Sequence, residues 1–121
     1  MNFILPHIPE RPEKPRNSGI TMMMDKGLSL RQAEDFLSAS AELTDIIKLG
    51  FGTSYLTNKI TEKIKLYQEA GMKVYVGGTL FEAFVVRNMF DDYMRLLDRL
   101  KLDCAEVSDG SITMPHDKKC E

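Results

Sequence analysis

The chain has 121 residues, 43% of them apolar and 28% charged, with a formal net charge of −2 at pH 7. That length permits one domain with a modest core, and the composition is that of an ordinary globular protein. A balance so near neutrality excludes broad electrostatic attraction to nucleic acid or to an anionic membrane surface, and no apolar run reaches the roughly 20 residues that span a bilayer.

Residues 1–18 carry four of the five prolines, Pro6, Pro9, Pro12 and Pro15, among alternating charges. Each proline removes a donor and fixes φ, so the segment is expected as an extended lead-in. Its start has no basic n-region and too short an apolar stretch for a signal peptide. Residues 19–25, Gly-Ile-Thr-Met-Met-Met-Asp, form an apolar run of strand length bounded by Gly19 and by Asp25-Lys26-Gly27. Ser29 then caps a helix with Leu30, Ala33, Phe36, Leu37 and Ala41 on one face.

A second strand is expected over residues 45–49, ending in Ile46-Ile47-Lys48-Leu49-Gly50-Phe51-Gly52-Thr53-Ser54. A lysine inside an apolar run is an odd placement, because a buried ammonium is costly unless paired. Lys48 therefore points toward an anion or a polar mouth. A helix follows over residues 57–70 with Ile60, Ile64 and Tyr67 inward, ended by Gly71. The third strand is Lys73-Val74-Tyr75-Val76, running into Gly77-Gly78-Thr79. One long helix is expected over residues 80–100, burying Phe84, Val85, Met89, Tyr93, Leu96, Leu97 and Leu100. The fourth strand covers residues 103–108 and leads to Asp109-Gly110. Pro115 marks the first position of a further helix, with Thr113 or Met114 before it. Cys104 and Cys120 lack metal-ligand spacing, and thiols of a reducing cytoplasm are expected rather than a disulfide.

Strands thus recur about every 25 to 30 residues with a helix between, which is the βαβ period of a parallel sheet with right-handed crossovers. The fold class is α/β with parallel β/α repeats. A small doubly wound sheet and the N-terminal half of a TIM (β/α)₈ barrel both fit. Polar residues close all four strands, which favours the barrel, where every strand C-terminus faces one mouth. Residues 19–121 would be about three and a half β/α units.

Parallel strands would let Asp25, Lys26, Lys48, Thr79, Glu106 and Asp109 converge. Carboxylates such as Asp25 and Glu106 suit Mg²⁺, and Lys26 and Lys48 suit a multiply charged anion. Gly50, Gly52, Gly77 and Gly78 let backbone N–H groups approach a ligand. Each residue also has a plainer role. Asp25 suits an ordinary turn, Lys48 can run its stem along the strand to solvent, and Glu106 can pair structurally with a lysine. The methionines at 22–24 suit core filling, and His7 and His116 suit the surface. Gly77-Gly78 is no dinucleotide fingerprint, since the third glycine and the spacing are missing.

Four motifs in order, Asp25-Lys26-Gly27, Ile47 to Ser54, Gly77-Gly78-Thr79-Leu80-Phe81-Glu82 and Glu106-Val107-Ser108-Asp109-Gly110, resemble the phosphosulfolactate synthase family. The resemblance runs from about Arg11 onward. It implies a TIM barrel, a cytoplasmic enzyme, and Mg²⁺-dependent addition of sulfite to phosphoenolpyruvate, the step that opens coenzyme M biosynthesis in archaea. It implies Glu106 and Asp25 beside the metal, Lys48 and Lys26 on substrate or sulfite anions, and Gly50, Gly77, Gly78 and Thr79 lining the substrate.

Family members are about twice as long, and the resemblance places a catalytic lysine on a fifth strand. Little synthase activity is therefore expected of this chain alone. Self-association, or completion by a missing C-terminal half, is expected from an exposed inner face and two free sheet edges. The competing expectations are a non-catalytic scaffold, like the family's plant heat-stress-associated members, and an independent small α/β binding module with helices on both faces of its sheet.

Overall fold

The computed structural model describes residues 2–120. The outer limits of the two expected segments, residues 1 and 121, lie outside the described residues. Four parallel strands, β1 (Met22–Asp25), β2 (Ile46–Leu49), β3 (Lys73–Val76) and β4 (Cys104–Ala105), form one sheet in the order β1-β2-β3-β4. Between them run α1 (Leu30–Ser40), α2 (Thr53–Leu56), α3 (Ile60–Glu69), α4 (Gly78–Val86) and α5 (Phe90–Leu100), and α6 (His116–Lys119) follows β4. Sequential order with a helix after each strand is how part of a (β/α)₈ barrel is built.

Local chemistry sets the helix limits. Ser29 caps α1 and exchanges bonds with Gln32 in a reciprocal capping box. Gly71, at φ +87°, ends α3 as expected. The helix expected over residues 57–70 is α3 alone and starts later, at Ile60, because Lys59 adopts a left-handed φ of 57°; the separate turn α2 precedes it. The long helix over residues 80–100 is also broken. Asn88 stands at φ 58°, a conformation asparagine tolerates better than most residues. Asp91 and Asp92 then restart the chain as the first turn of α5, where the helix dipole favours them. The fourth strand is shorter than expected, and from Glu106 the chain is irregular until α6. Pro115 precedes α6 rather than opening it.

The register sorts the side chains. Met24, Lys48, Tyr75 and Cys104 make one row across the sheet, and Asp25, Leu49, Val76 and Ala105 the next. Successive rows point to opposite faces. Ile47, Leu49, Val74 and Val76 face the helices and form the core with Ala33, Ile64, Tyr67, Phe81 and Tyr93. The opposite face is uncovered, and Met22 and Met24 on it are 45% and 41% exposed. The methionine run is therefore split, with only Met23 packed against the core. A one-sided helical cover is that of a barrel wall and overturns the expectation of a module with helices on both faces.

The lead-in is tied down rather than free. Arg11 and Arg16 converge on Asp45 at the start of β2, at 3.2 and 2.7 Å, and Arg16 also donates to the carbonyl of Glu42. Among the described residues no helix is long and apolar enough to cross a membrane.

Candidate functional site at the strand C-termini

The polar group at the C-terminal ends of the strands centres on Lys48. Its ammonium lies 2.8 Å from the Glu106 carboxylate and 5.9 Å from the centre of the Tyr75 ring, on the uncovered face. Glu106 is the first residue after β4, so three adjacent strands supply this cluster. The hydrogen bond to Glu106 holds the Lys48 pKa above its ordinary value, although burial opposes it. Lys48 is thus a fixed positive charge at neutral pH.

Gly77 and Gly78 make room for the pair. A Cβ on Gly77 would stand 2.9 Å from Lys48 Cε, and one on Gly78 would stand 2.9 Å from Glu106 Oε1 and collide with Ser108. Gly78 opens α4, whose first amides lack intrahelical acceptors and favour negative charge. The Glu106 carboxylate therefore lies between an ammonium and a helix N-terminus. The arrangement suits an oxyanion that competes for the same two partners.

The other expected site residues are placed differently. Asp25 is wholly buried on the helix side, in the row opposite to Lys48. One oxygen accepts from the amides of Gly27 and Leu28, and the other from Tyr67 Oη and the Lys63 ammonium, at 2.8 and 2.9 Å. Burial alone would raise its pKa, but these donors together hold it below the ordinary carboxylate value. Its turn role is the one observed, and the expectation of Asp25 as a metal ligand is corrected, because its oxygens are fully engaged away from the mouth. Gly50 also takes a structural place. Its amide donates to the Asp25 carbonyl at 2.8 Å, and a Cβ there would lie 3.2 Å from that oxygen. Its N–H is thus not offered to a ligand, which corrects Gly50 as a substrate contact through that group. The Gly77 amide likewise donates to the Leu49 carbonyl. Lys26 is exposed with its stem beside Gly50, Thr79 is exposed at the start of α4, and Asp109 pairs with Lys119 at 3.1 Å.

Two buried charged residues, Lys63 and Glu82, had no role assigned from the sequence. Lys63 lies on the stripe of Ile60, Ile64 and Tyr67, and a charge at that spacing was the signal available. Glu82 is 2% exposed on α4 and accepts from the Ser111 amide at 3.2 Å, fixing the loop that carries Ser108.

The Mg²⁺ implied by resemblance finds no fitting donor set in these residues. Asp25 is turned away, Glu106 is held by Lys48, and no group of three His, Cys, Asp or Glu side chains that could hold a metal occurs among the described residues.

The family model described as (2R)-phospho-3-sulfolactate synthase (ComA) matches residues 9–121. The chain belongs to this family. It is 39% identical over 95 residues to the phosphosulfolactate synthase of Methanocaldococcus jannaschii, covering 77% of this chain and 38% of that protein. It is 35% identical over 114 residues to that of Methanothermobacter thermautotrophicus (93% and 44%) and 31% identical over 119 residues to that of Bacillus subtilis (98% and 47%). The chain therefore spans less than half the length of these synthases. As a phosphosulfolactate synthase family member with four parallel β/α strands, it corresponds to the wall of a barrel whose strand C-termini carry Lys48 and Glu106.

Proposed function

We propose that this chain supplies the Lys48–Glu106 part of a phosphosulfolactate synthase site, one that adds sulfite to phosphoenolpyruvate. The observation that carries this is the ion pair itself. It stands at the strand C-termini on the uncovered face, in space left by two glycines. Glycine at both positions is what lets Lys48 and Glu106 meet there, since a Cβ at either would crowd the pair.

In the proposed reaction the sulfur lone pair of sulfite attacks the methylene carbon of phosphoenolpyruvate. The double-bond electrons move toward the carboxylate, giving an enolate-like dianion, and a proton is then delivered to the carbon bearing the phosphate ester. In this reading Lys48 stabilises the growing charge, as a preorganised cation does. Its raised pKa makes it a poor proton donor, so the acid is a different group. Glu106 orients Lys48, and the start of α4 offers amides to an oxyanion. Lys26, on the neighbouring loop, is proposed as a second cation for the incoming anions.

The test is an assay of phosphosulfolactate formation from sulfite, phosphoenolpyruvate and Mg²⁺. The chain alone is expected to turn over little or not at all. Co-expressed with the C-terminal half of the Bacillus subtilis relative, it is expected to gain activity that Lys48→Met abolishes. Full activity of the complemented Lys48→Met variant would overturn the assignment.

A further inference from the structure

A second cluster lies at the opposite end of the sheet, where the lead-in crosses the strand N-termini. A cavity of about 350 Å³ opens there, lined by Ile20 and Ile46 and by Lys14, Arg16, Lys73 and Asp45. The lining holds three cations and one carboxylate. That carboxylate is already engaged, because Asp45 accepts from Arg16, Arg11 and the Thr21 amide at 2.7, 3.2 and 2.8 Å. Among the described residues Asp45 forms its ion pairs with Arg11 and Arg16 and none with either lysine. The Lys14 ammonium is out of contact with solvent and has no hydrogen-bond partner among the described residues. Lys73 makes no ion pair among the described residues. Its neighbour Asp103 accepts instead from the Val74 amide and Gln68.

An ammonium withdrawn from water without a partner is costly and persists only where something compensates it. Burial pulls the Lys14 pKa down, Asp45 partly restores it, and Arg16 and Arg11 lower it further. We propose that this cavity binds a small phosphate-type oxyanion between Lys14, Arg16 and Lys73. The site is independent of the strand-end cluster. It lies at the pole of the sheet where barrel enzymes do not ordinarily place their chemistry, so its occupant acts on stability or regulation rather than on turnover. Ile20 and Ile46 in the lining could pack against the carbon body of a phosphate ester.

The experiment is calorimetric titration of the full chain with inorganic phosphate and, separately, glycerol 3-phosphate, alongside thermal melting. Saturable binding and a raised Tm are expected, and Lys14→Met is expected to weaken phosphate binding at least tenfold while raising the Tm of the unliganded chain. Lys73→Gln, a change at an exposed side chain, is expected to weaken binding without loss of folding and carries the test if Lys14→Met does not fold. Lys48→Met is expected to leave this binding intact. Tighter binding of glycerol 3-phosphate identifies an ester as the ligand, and equal binding identifies phosphate itself. The proposal is overturned by absent saturable binding, by binding unchanged in both Lys14→Met and Lys73→Gln, or by binding lost only in Lys48→Met.

Discussion

The ammonium of Lys63 and the carboxylate of Asp25 stand 2.9 Å apart with neither side chain exposed to solvent. The pair joins the end of β1 to the middle of α3, and the Leu28 carbonyl takes a further bond from Lys63 at 2.7 Å. With every polar atom of the pair satisfied, removal of one partner leaves the other charge buried. Lys63→Met is expected to destabilise the chain by about 3–5 kcal/mol. The double variant Asp25→Asn with Lys63→Met is expected to recover part of that loss, since no uncompensated charge remains. Urea unfolding of the three proteins measures both effects.

The same carboxylate sets an acid limit. Burial opposes its ionisation, but its four donors lower the folded pKa below the ordinary 3.8. The ionised form is thus favoured by folding. Its contribution is fully present above the unfolded pKa and is lost as pH falls through the folded one. The stability difference between the wild-type chain and Asp25→Asn is expected to be constant near neutrality and to shrink below about pH 4. Unfolding midpoints measured from pH 7 to pH 2 check this, and a difference independent of pH would refute it.

The contrast between Asp25 and Lys48 shows what the sequence could carry. The strand spacing and the closing polar residues were enough for four parallel strands and for bringing Lys48 and Glu106 to one end of the sheet, but not for their direct pairing. Parity was not available. Asp25 follows Met24, and only the register of Met24 beside Lys48 turns Asp25 to the helix side. A shift by one residue would reverse that face, and no residue type in Met-Met-Met-Asp fixes the choice. The break at Asn88 was hidden for a related reason. Apolar residues continue through Val85, Val86, Met89 and Phe90, so composition alone gives no stop, and the turn depends on one left-handed residue. The Arg11 and Arg16 clamp on Asp45 joins residues far apart in sequence and had no local signal.

The paired glycines should respond unequally to alanine. At Gly77 the added methyl meets Lys48 Cε, the far end of a flexible chain that can move. At Gly78 it meets Ser108 and Glu106, whose loop is held by Glu82. Alanine is otherwise favoured over glycine within a helix. Gly78→Ala is nevertheless expected to lose about 1–3 kcal/mol through overpacking, and Gly77→Ala clearly less. Comparison of their denaturant midpoints tests this, and equal effects would deny the crowding at Ser108.

The Tyr93 hydroxyl is buried without a hydrogen-bond partner among the described residues, while its ring packs edge-on against Phe81 at 5.5 Å. Burial, with a smaller contribution from the charge of Glu106, pushes its pKa up to about 12. An unsatisfied buried hydroxyl costs about 1–3 kcal/mol. Tyr93→Phe keeps the ring and is expected to stabilise the chain by about 1 kcal/mol. A destabilised Tyr93→Phe variant in thermal unfolding would show that the hydroxyl has a partner in solution.

The uncovered face gives the last expectation. Met22 and Met24 project from β1 opposite the helices, and among the described residues β1 and β4 each have one edge without a neighbouring strand. Exposed apolar surface beside open strand edges favours pairing with another chain. The chain alone is expected to self-associate, with a weight-average mass that rises with concentration in sedimentation equilibrium. Replacing Met24 by lysine puts a second ammonium beside Lys48 in the same row. That repulsion, added to the loss of apolar surface, should shift association to at least tenfold higher concentration, about 1.4 kcal/mol. Lysine at Met22, two rows closer to the strand start on the same face, should act in the same direction without touching the Lys48–Glu106 pair. A monomer at all concentrations, with a single cooperative melt, would mean that this face is stable in water as it stands.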